Sequence, residues 1–501
     1  MFRNKWSALA VISAALFLIG IDMTVLYTAL PTLTRELDAT NSGKLWIINT
    51  YPLVMAGLLP GLGTLGDRFG HRLVFMGGLS FFGIASLLAA FSPSVSLLIG
   101  SRALLAIGAA MMMPASLALI RQTFVTDHER AIAIGIWGSV YSGAAAIGPL
   151  ICGFLLGHFW WGSVFLINVP VVLFAVILVP IVIKRQPGTP DRPWDLRNSA
   201  LVMVGLVGLT YGLKEIAKPD ADAAHAATAL VIGLIFMTWF VHRQARSSSP
   251  LIDFTLFRNP RFLAGVSTII VAMVTFMGVQ LVMTQRLQLV EGFSPLEAGL
   301  FIVPMSLASF FAGPMFGSVL HRIGIAPALW LALLINGTGL VGLAVFDPSA
   351  LWLQVGSLVL FGFGGGAAAS TSSTAIMVNA PEEKAGMAGS IEAVSYELGG
   401  VLGVAIMGSV ATYVYATNLA LPVGLPDVLL ARDSLDQALI YAGGLKSDQA
   451  PAVIEAAKAA FDTAYVWVLW TGVLIIAILG LGLTVLFKTR TTHSEPGQSF
   501  V

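Results

Sequence analysis

Apolar residues in this chain run in long, nearly unbroken blocks separated by short polar turns, with neither strict alternation nor a heptad rhythm. A bilayer core about 30 Å thick is crossed by about 20 mostly apolar residues in a helix. Fourteen blocks meet that length, at roughly 7–30, 45–66, 73–91, 95–119, 131–157, 161–183, 198–217, 226–241, 262–286, 298–320, 326–346, 351–378, 387–416 and 464–487, the eighth being the shortest. The first opens like a secretory signal, with Arg3 and Lys5 ahead of it. From Ser7 to Leu30 it outruns the roughly 7–15-residue core of a signal peptide, so it reads as a retained span. Asn418 to Asp462 is a long connection with apolar residues at helical spacing (Val428, Leu429, Ala431, Leu435, Ala438, Leu439, then Val453, Ala456, Ala457, Ala460). That spacing predicts amphipathic helices packed on the outer face.

Composition agrees with the pattern. Apolar residues make up 57% and charged residues 11%, against about 45–50% and about 25% in soluble domains. The fold class expected is an all-α membrane protein. A net charge of +1 gives no basic face for nucleic acid. The single cysteine, Cys152, has no partner for a disulfide, and the histidines are scattered, so no metal site or cofactor is expected. No nucleophile with a base and no phosphate loop is present, which argues against an enzyme. With both termini in the cytoplasm, 18 of the 27 Lys and Arg fall on inner segments and 8 on outer ones, Arg102 lying inside a span; an excess of basic residues inside sets this orientation.

A shift of 254 residues lays Gly63-Thr-Leu-Gly-Asp67-Arg68-Phe-Gly70 on Gly317-Ser-Val-Leu-His321-Arg322-Ile-Gly324. The same shift lays Glu129-Arg130-Ala131 on Glu383-Lys384-Ala385 and Gly135 on Gly389. Spans 1 to 6 then repeat as 9 to 14. Residues 1–185 form one six-helix half, 186–245 an inserted pair of helices, and 246–501 the second half with an outer helical segment at about 418–462. Parallel six-helix repeats with a substrate site between them near the midplane are a transporter plan. In this register Gly143 falls on Glu397.

Three carboxylates lie within spans: Asp22 in the first, Glu392 and Glu397 in the thirteenth. Acids at such depth face a cavity or a partner and mark ion or proton routes. Asp22 is too deep to snorkel. Glu392 and Glu397, five residues apart, are separated by about 140° around a helix. Glu397 is the deeper; Glu392, nearer the inner end, reads either as a first contact for cations or as a hydrated interfacial acid. Arg102 starts the fourth span and has two readings, snorkelling to the outer interface or a role inside. Met111, Met112, Met113, Met273, Met277 and Met283, with Tyr51, Trp137, Phe276 and Tyr396, offer soft and aromatic surface suited to flat lipophilic cations, or they fill packing gaps.

The loop Gly63 to Arg72 (GTLGDRFGHR), with Gly63, Gly66, Asp67, Arg68, Gly70 and Arg72 between spans 2 and 3, resembles the signature loop of the major facilitator superfamily. The span-5 stretch Gly143-Ala-Ala-Ala-Ile-Gly148-Pro149-Leu-Ile-Cys152-Gly153 resembles the antiporter motif of proton-driven drug exporters, with Cys-Gly where Gly-Gly is usual. Asp22 to Pro31 (DMTVLYTALP), Phe159 to Pro170 and Ser395-Tyr-Glu397-Leu-Gly-Gly are similar to segments of the 14-span drug:proton antiporters, closest to the quaternary ammonium and methyl viologen exporters of the QacA and SmvA types. The resemblance implies the major facilitator fold, a gating role for the Gly63–Arg72 loop, proton coupling and cation binding at Asp22, Glu397 and Glu392, and a proton-relay or charge-balancing role for Arg102. Some relatives carry an acid in span 10, where Leu300 to Leu320 has none, so proton stoichiometry does not carry over.

The function so implied is proton-coupled export of lipophilic mono- and dicationic compounds from a bacterial cytoplasmic membrane. The expected partners are those cations, protons and membrane lipid, and the expected state is a monomer. A uniporter or importer of another organic solute on the same fold is the alternative, and the direction of transport against a gradient separates the two.

Overall fold

The computed structural model describes residues 5–63, 65–184, 187–188, 196–216, 222–247, 250, 252–381, 384–422, 428–445 and 449–491. The expected 185/186 junction lies outside them, as do Arg3, Arg185, Arg192, Lys218 and Lys446. The described residues fold into helices and contain no strand. They are α1 (Lys5–Glu36), α2 (Asn41–Gly63), α3 (Leu65–Phe69), α4 (His71–Ala90), α5 (Val95–Thr123), α6 (Asp127–His158), α7 (Ser163–Leu166), α8 (Asn168–Val182), α9 (Leu196–Ile216), α10 (Ala223–Ala245), α11 (Pro260–Gln285), α12 (Pro295–Ile323), α13 (Ile325–Val345), α14 (Leu351–Val378), α15 (Ala385–Asn418), α16 (Val428–Asp433), α17 (Leu435–Gly443) and α18 (Ala450–Thr491). A π turn, Arg286–Val290, prolongs α11. Twelve helices among the described residues are long and apolar enough to cross a membrane, and fourteen with each of two bent helices taken as one span.

The ends of these helices follow from local chemistry. Ser94 caps α5 by accepting from the Leu97 amide, Asn259 caps α11 ahead of Pro260, and Ser294 and Glu297 form a reciprocal capping box on α12, each supplying partners for amides the helix leaves open. Asp222 accepts from the Ala224 and His225 amides and starts α10 three residues before the apolar block does. Gly70 (φ 92°) and Gly324 (φ 80°) each end one helix and begin the next. They are 254 residues apart, so the repeat reappears as a backbone shape that side chains disfavour.

In the first half α1 packs on α6 and α8, α2 on α5, and α4 on α5; in the second, α11 packs on α14 and α15, and α14 on α12 and α13. The two groups meet where α6 contacts α12 and where α2 contacts α15. Helices α9 and α10 form a hairpin that lies on α2 and α15 through α9. A Cβ at Gly208 would come within 2.9 Å of Gly233 Cα, so small residues set the close approach of that hairpin.

Between α15 and the last helix, α16 and α17 sit on the face opposite the N-terminus. From Ala450 the chain is one helix of 42 residues. The apolar spacing at Val453, Ala456, Ala457 and Ala460, expected to mark a separate outer-face helix, belongs instead to this last helix. Nothing stops a helix there: the first glycine after Ala450 is Gly472, and no proline lies between Pro451 and Thr491.

Candidate functional site

Asp22, eighteen residues into α1, meets Arg102, eight residues into α5. Their side chains are 1% and 3% exposed and form a buried ion pair, Arg102 Nη1 donating to Asp22 Oδ2. The guanidinium also donates through Nε to the Ile47 carbonyl of α2 (3.3 Å) and stands over the Tyr51 ring, 4.6 Å from its centre. Snorkelling of Arg102 to the outer interface is therefore ruled out. The sequence gives its depth along α5; which way the side chain points depends on the acid that α1 brings alongside.

Glu397 on α15 is buried, and its Oε2 has no hydrogen-bond partner. Arg102 acts on it electrostatically, and Tyr27, Tyr51 and Tyr141 all lie in its field. Asp22 Oδ1, the Tyr51 hydroxyl and both amide atoms of Asn49 are likewise buried without partners. Helices α1, α2, α5 and α6 of one half and α15 of the other thus enclose one polar centre with hydrogen-bonding capacity left open. Glu392, half-buried, bonds to Ser373 of α14, and Tyr396 lies in its field. The five-residue separation holds it apart from the Asp22–Arg102 pair.

The span-5 motif shapes α6 beside this centre. Pro149 has no amide to offer the Ala145 carbonyl four residues back. The α6 axis turns by 42° between Ile132–Ala145 and Ile147–His158, and the freed carbonyl accepts from the Thr24 hydroxyl of α1 at 2.9 Å. Gly148 admits that threonine: a Cβ on it would lie 2.1 Å from Thr24 Oγ1. Gly153 admits α12, since its Cβ would lie 2.4 Å from Leu296 Cα. A Cβ at Gly143 meets no atom within 4 Å, and the same is true of Gly135, Gly138 and Gly389.

The Gly63–Arg72 loop sits at the N-terminal face. Asp67 pairs with His71 (3.3 Å), Arg72 donates to the Ile183 carbonyl at the end of α8 (3.0 Å), and Arg68 stands 5.5 Å over Phe69. Gly66 is pressed by the His71 ring, and Gly63 faces Pro114 of α5. The loop ties α2, α4, α5 and α8 together.

The residues read as a soft wall do not share one surface. Tyr51 joins the polar centre, and Tyr396 stands by Glu392 and Tyr141. Trp137 donates to Ser116 (3.0 Å), whose hydroxyl donates to the Met113 carbonyl, so these three mark the α5–α6 seam. Phe276 stacks on Phe361 of α14, with ring centres 6.0 Å apart. Met112 is buried against Gly78, and Met277 and Met273 pack on Gly400 and Gly399 of α15. Tyr141 and Asn49 escape the sequence reading, their one signal being position on the helices that carry Gly143 and Tyr51; Thr24 and Tyr27 fall inside the quoted Asp22–Pro31 stretch but are not singled out there.

Contacts joining the halves gather on the face opposite the N-terminus. Lys44 of α2 forms a buried ion pair with Asp436 of α17 and donates to Gln285 (3.3 Å). The Asn41 amide donates to Asp433, its side chain to Thr412 (2.7 Å), Gln437 to the Ala39 carbonyl (3.1 Å) and Gln288 to the Thr28 carbonyl (2.9 Å). The open glycines of α6 and α15 lie toward the N-terminal face.

A family profile described as Major Facilitator Superfamily matches residues 12–404. The chain belongs to the major facilitator superfamily. It is 40% identical over 486 residues to the methyl viologen resistance protein SmvA of Salmonella typhimurium, covering 96% of this chain and 98% of that one. It is 34% identical over 463 residues to the multidrug efflux pump LfrA of Mycolicibacterium smegmatis, covering 92% of each. Its fold is similar to that of a bacterial homologue of the human lysosomal transporter Spinster solved in an inward-facing, occupied conformation, with TM-score 0.70, 14% identity, and coverage of 99% and 100%. This superfamily member is a multi-pass membrane transporter and not an enzyme.

Proposed function

We propose that this transporter is a proton-coupled multidrug exporter of lipophilic mono- and dicationic compounds such as quaternary ammonium biocides, dyes and viologens. Its N-terminal face is cytoplasmic and its membrane is the inner membrane of a bacterium. The observation that carries the reading is the pair of acids in one enclosed centre: Asp22 with an open Oδ1 and Glu397 with an open Oε2, contributed by opposite halves. A carboxylate cannot fully serve a proton and an organic cation together, so competition for it links the two fluxes. Tyr51 and Tyr141 supply aromatic surface beside the acids for a flat cation. The likeness to SmvA and LfrA, named for methyl viologen resistance and multidrug efflux, supports the same reading.

Alternating access then has the halves, residues 1–185 and 246–501, rock about this centre. The contacts on the far face correspond to an arrangement closed on that side. The test is ethidium efflux from vesicles under an imposed proton gradient. Asp22→Asn and Glu397→Gln should each cut gradient-driven efflux at least tenfold; wild-type rates from both would overturn the proposal.

A further inference from the structure

We infer that Arg102 sets the charge of the cargo: by holding Asp22 it leaves one uncompensated carboxylate, Glu397, and so favours cations that present one positive charge to the centre over those that present two. This rests on the reading of the centre as the cation site. The guanidinium is held by a carboxylate (Asp22), a carbonyl (Ile47) and an aromatic face (Tyr51). Those are the groups an incoming lipophilic cation would itself seek. A tethered cation already occupies them.

With both acids ionised, Asp22, Arg102 and Glu397 sum to one negative charge. Glu397 has no hydrogen-bonding partner at Oε2, whereas Asp22 has only Oδ1 free. Glu392 is bonded to Ser373 outside this layer. A second positive charge in the centre would sit a few ångströms from the guanidinium. Coulomb repulsion at about 4 Å, in a medium of effective dielectric about 20, is worth on the order of a thousandfold in affinity. A dication therefore binds with both charges only if Arg102 withdraws from Asp22, and its own interactions must then offset the loss of a buried ion pair.

The test is binding of tetraphenylphosphonium, with one charge, and methyl viologen, with two, to the purified full-length protein in detergent at one pH and ionic strength. Arg102→Gln should raise the ratio of dication to monocation association constants at least tenfold. The Asp22→Asn/Arg102→Gln double variant, which again leaves one negative charge, should return the ratio toward wild type, and Arg102→Lys should keep it within threefold. A ratio that moves less than threefold in Arg102→Gln, with both ligands still binding, overturns the inference. Failure of the wild type to bind either ligand overturns the cation-site reading instead. If Arg102→Gln is recovered unfolded, Asp22→Asn and the double variant carry the same test: deleting the guanidinium from Asp22→Asn must raise tetraphenylphosphonium affinity at least tenfold, and no gain overturns the inference.

Discussion

At the scale of single residues, Thr24 and Gly148 show how one bond holds a bent helix. The bend at Pro149 leaves the Ala145 carbonyl without its helical partner, and the Thr24 hydroxyl takes its place. Thr24→Val keeps the shape and removes the donor, so it should cost about 1–3 kcal/mol, the usual price of a buried unpaired carbonyl. Gly148→Ala should cost a similar amount by overpacking, and adding Thr24→Ala should recover most of it. Thermal unfolding in detergent reads all three. Asp253 illustrates a different case, at the aqueous boundary. Bonds from Lys384 (2.6 Å) and Thr255 hold its carboxyl down at about 2. A depressed value means that its stabilising effect is present above the unfolded value of about 3.9 and is lost as pH falls through about 2. Between pH 5 and 8 this ion pair should add no pH dependence to stability, and because it is partly solvated Asp253→Asn should cost under about 1 kcal/mol; a melting-temperature series in that range checks both.

At the scale of elements, the fifth helix of each half is pinned near its start by an ion pair to the start of the first helix or the segment just before it. Lys5, the first residue of α1, meets Glu129 in the first turn of α6, and Asp253, ahead of α11, meets Lys384, just before α15. The signs are exchanged between halves, which is why matching letters at a 254-residue offset does not reveal the pairing. Another pairing invisible in the sequence joins α17 to α2. Lys44 counts in the sequence only as an outer basic residue, yet it is buried against Asp436. Asp436→Asn, which strands the Lys44 charge, should destabilise the protein by about 3–5 kcal/mol, and Lys44→Met/Asp436→Leu should recover much of that; thermal unfolding of single and double variants decides. The helices themselves were legible because span length follows from bilayer thickness, and the α6 bend because proline lacks an amide. Helix rotation was not: Arg102 could be assigned a depth, but its direction depends on Asp22, 80 residues away. The outer connection was half legible, since apolar spacing marks a helix without saying whether it continues into the next one.

At the scale of the whole molecule, the hydrogen bonds and the buried ion pair that join the halves gather on the face opposite the N-terminus. Cysteines at Leu45 and Gly408, whose side chains face each other, a Cβ on Gly408 lying 3.0 Å from Leu45 Cδ2, should form a bond that stops efflux, and reduction should restore it. Cysteines at Gly135 or Gly389 should react with an impermeant thiol reagent from the N-terminal face alone, and Cys152, fully buried, should stay silent in the same vesicles. Efflux unaffected by the 45–408 crosslink would mean that this face does not open during transport.

Gly143, finally, is a vacant socket in an otherwise furnished room. It stands where the second half has Glu397, and a side chain grown from it meets no atom within 4 Å. Every glycine codon is one base from an aspartate or a glutamate codon, so an acid is one mutational step away at a position that already has space for it. A population under pressure from a new biocide has there a short evolutionary path to a pump with a different appetite, without rebuilding a single helix contact.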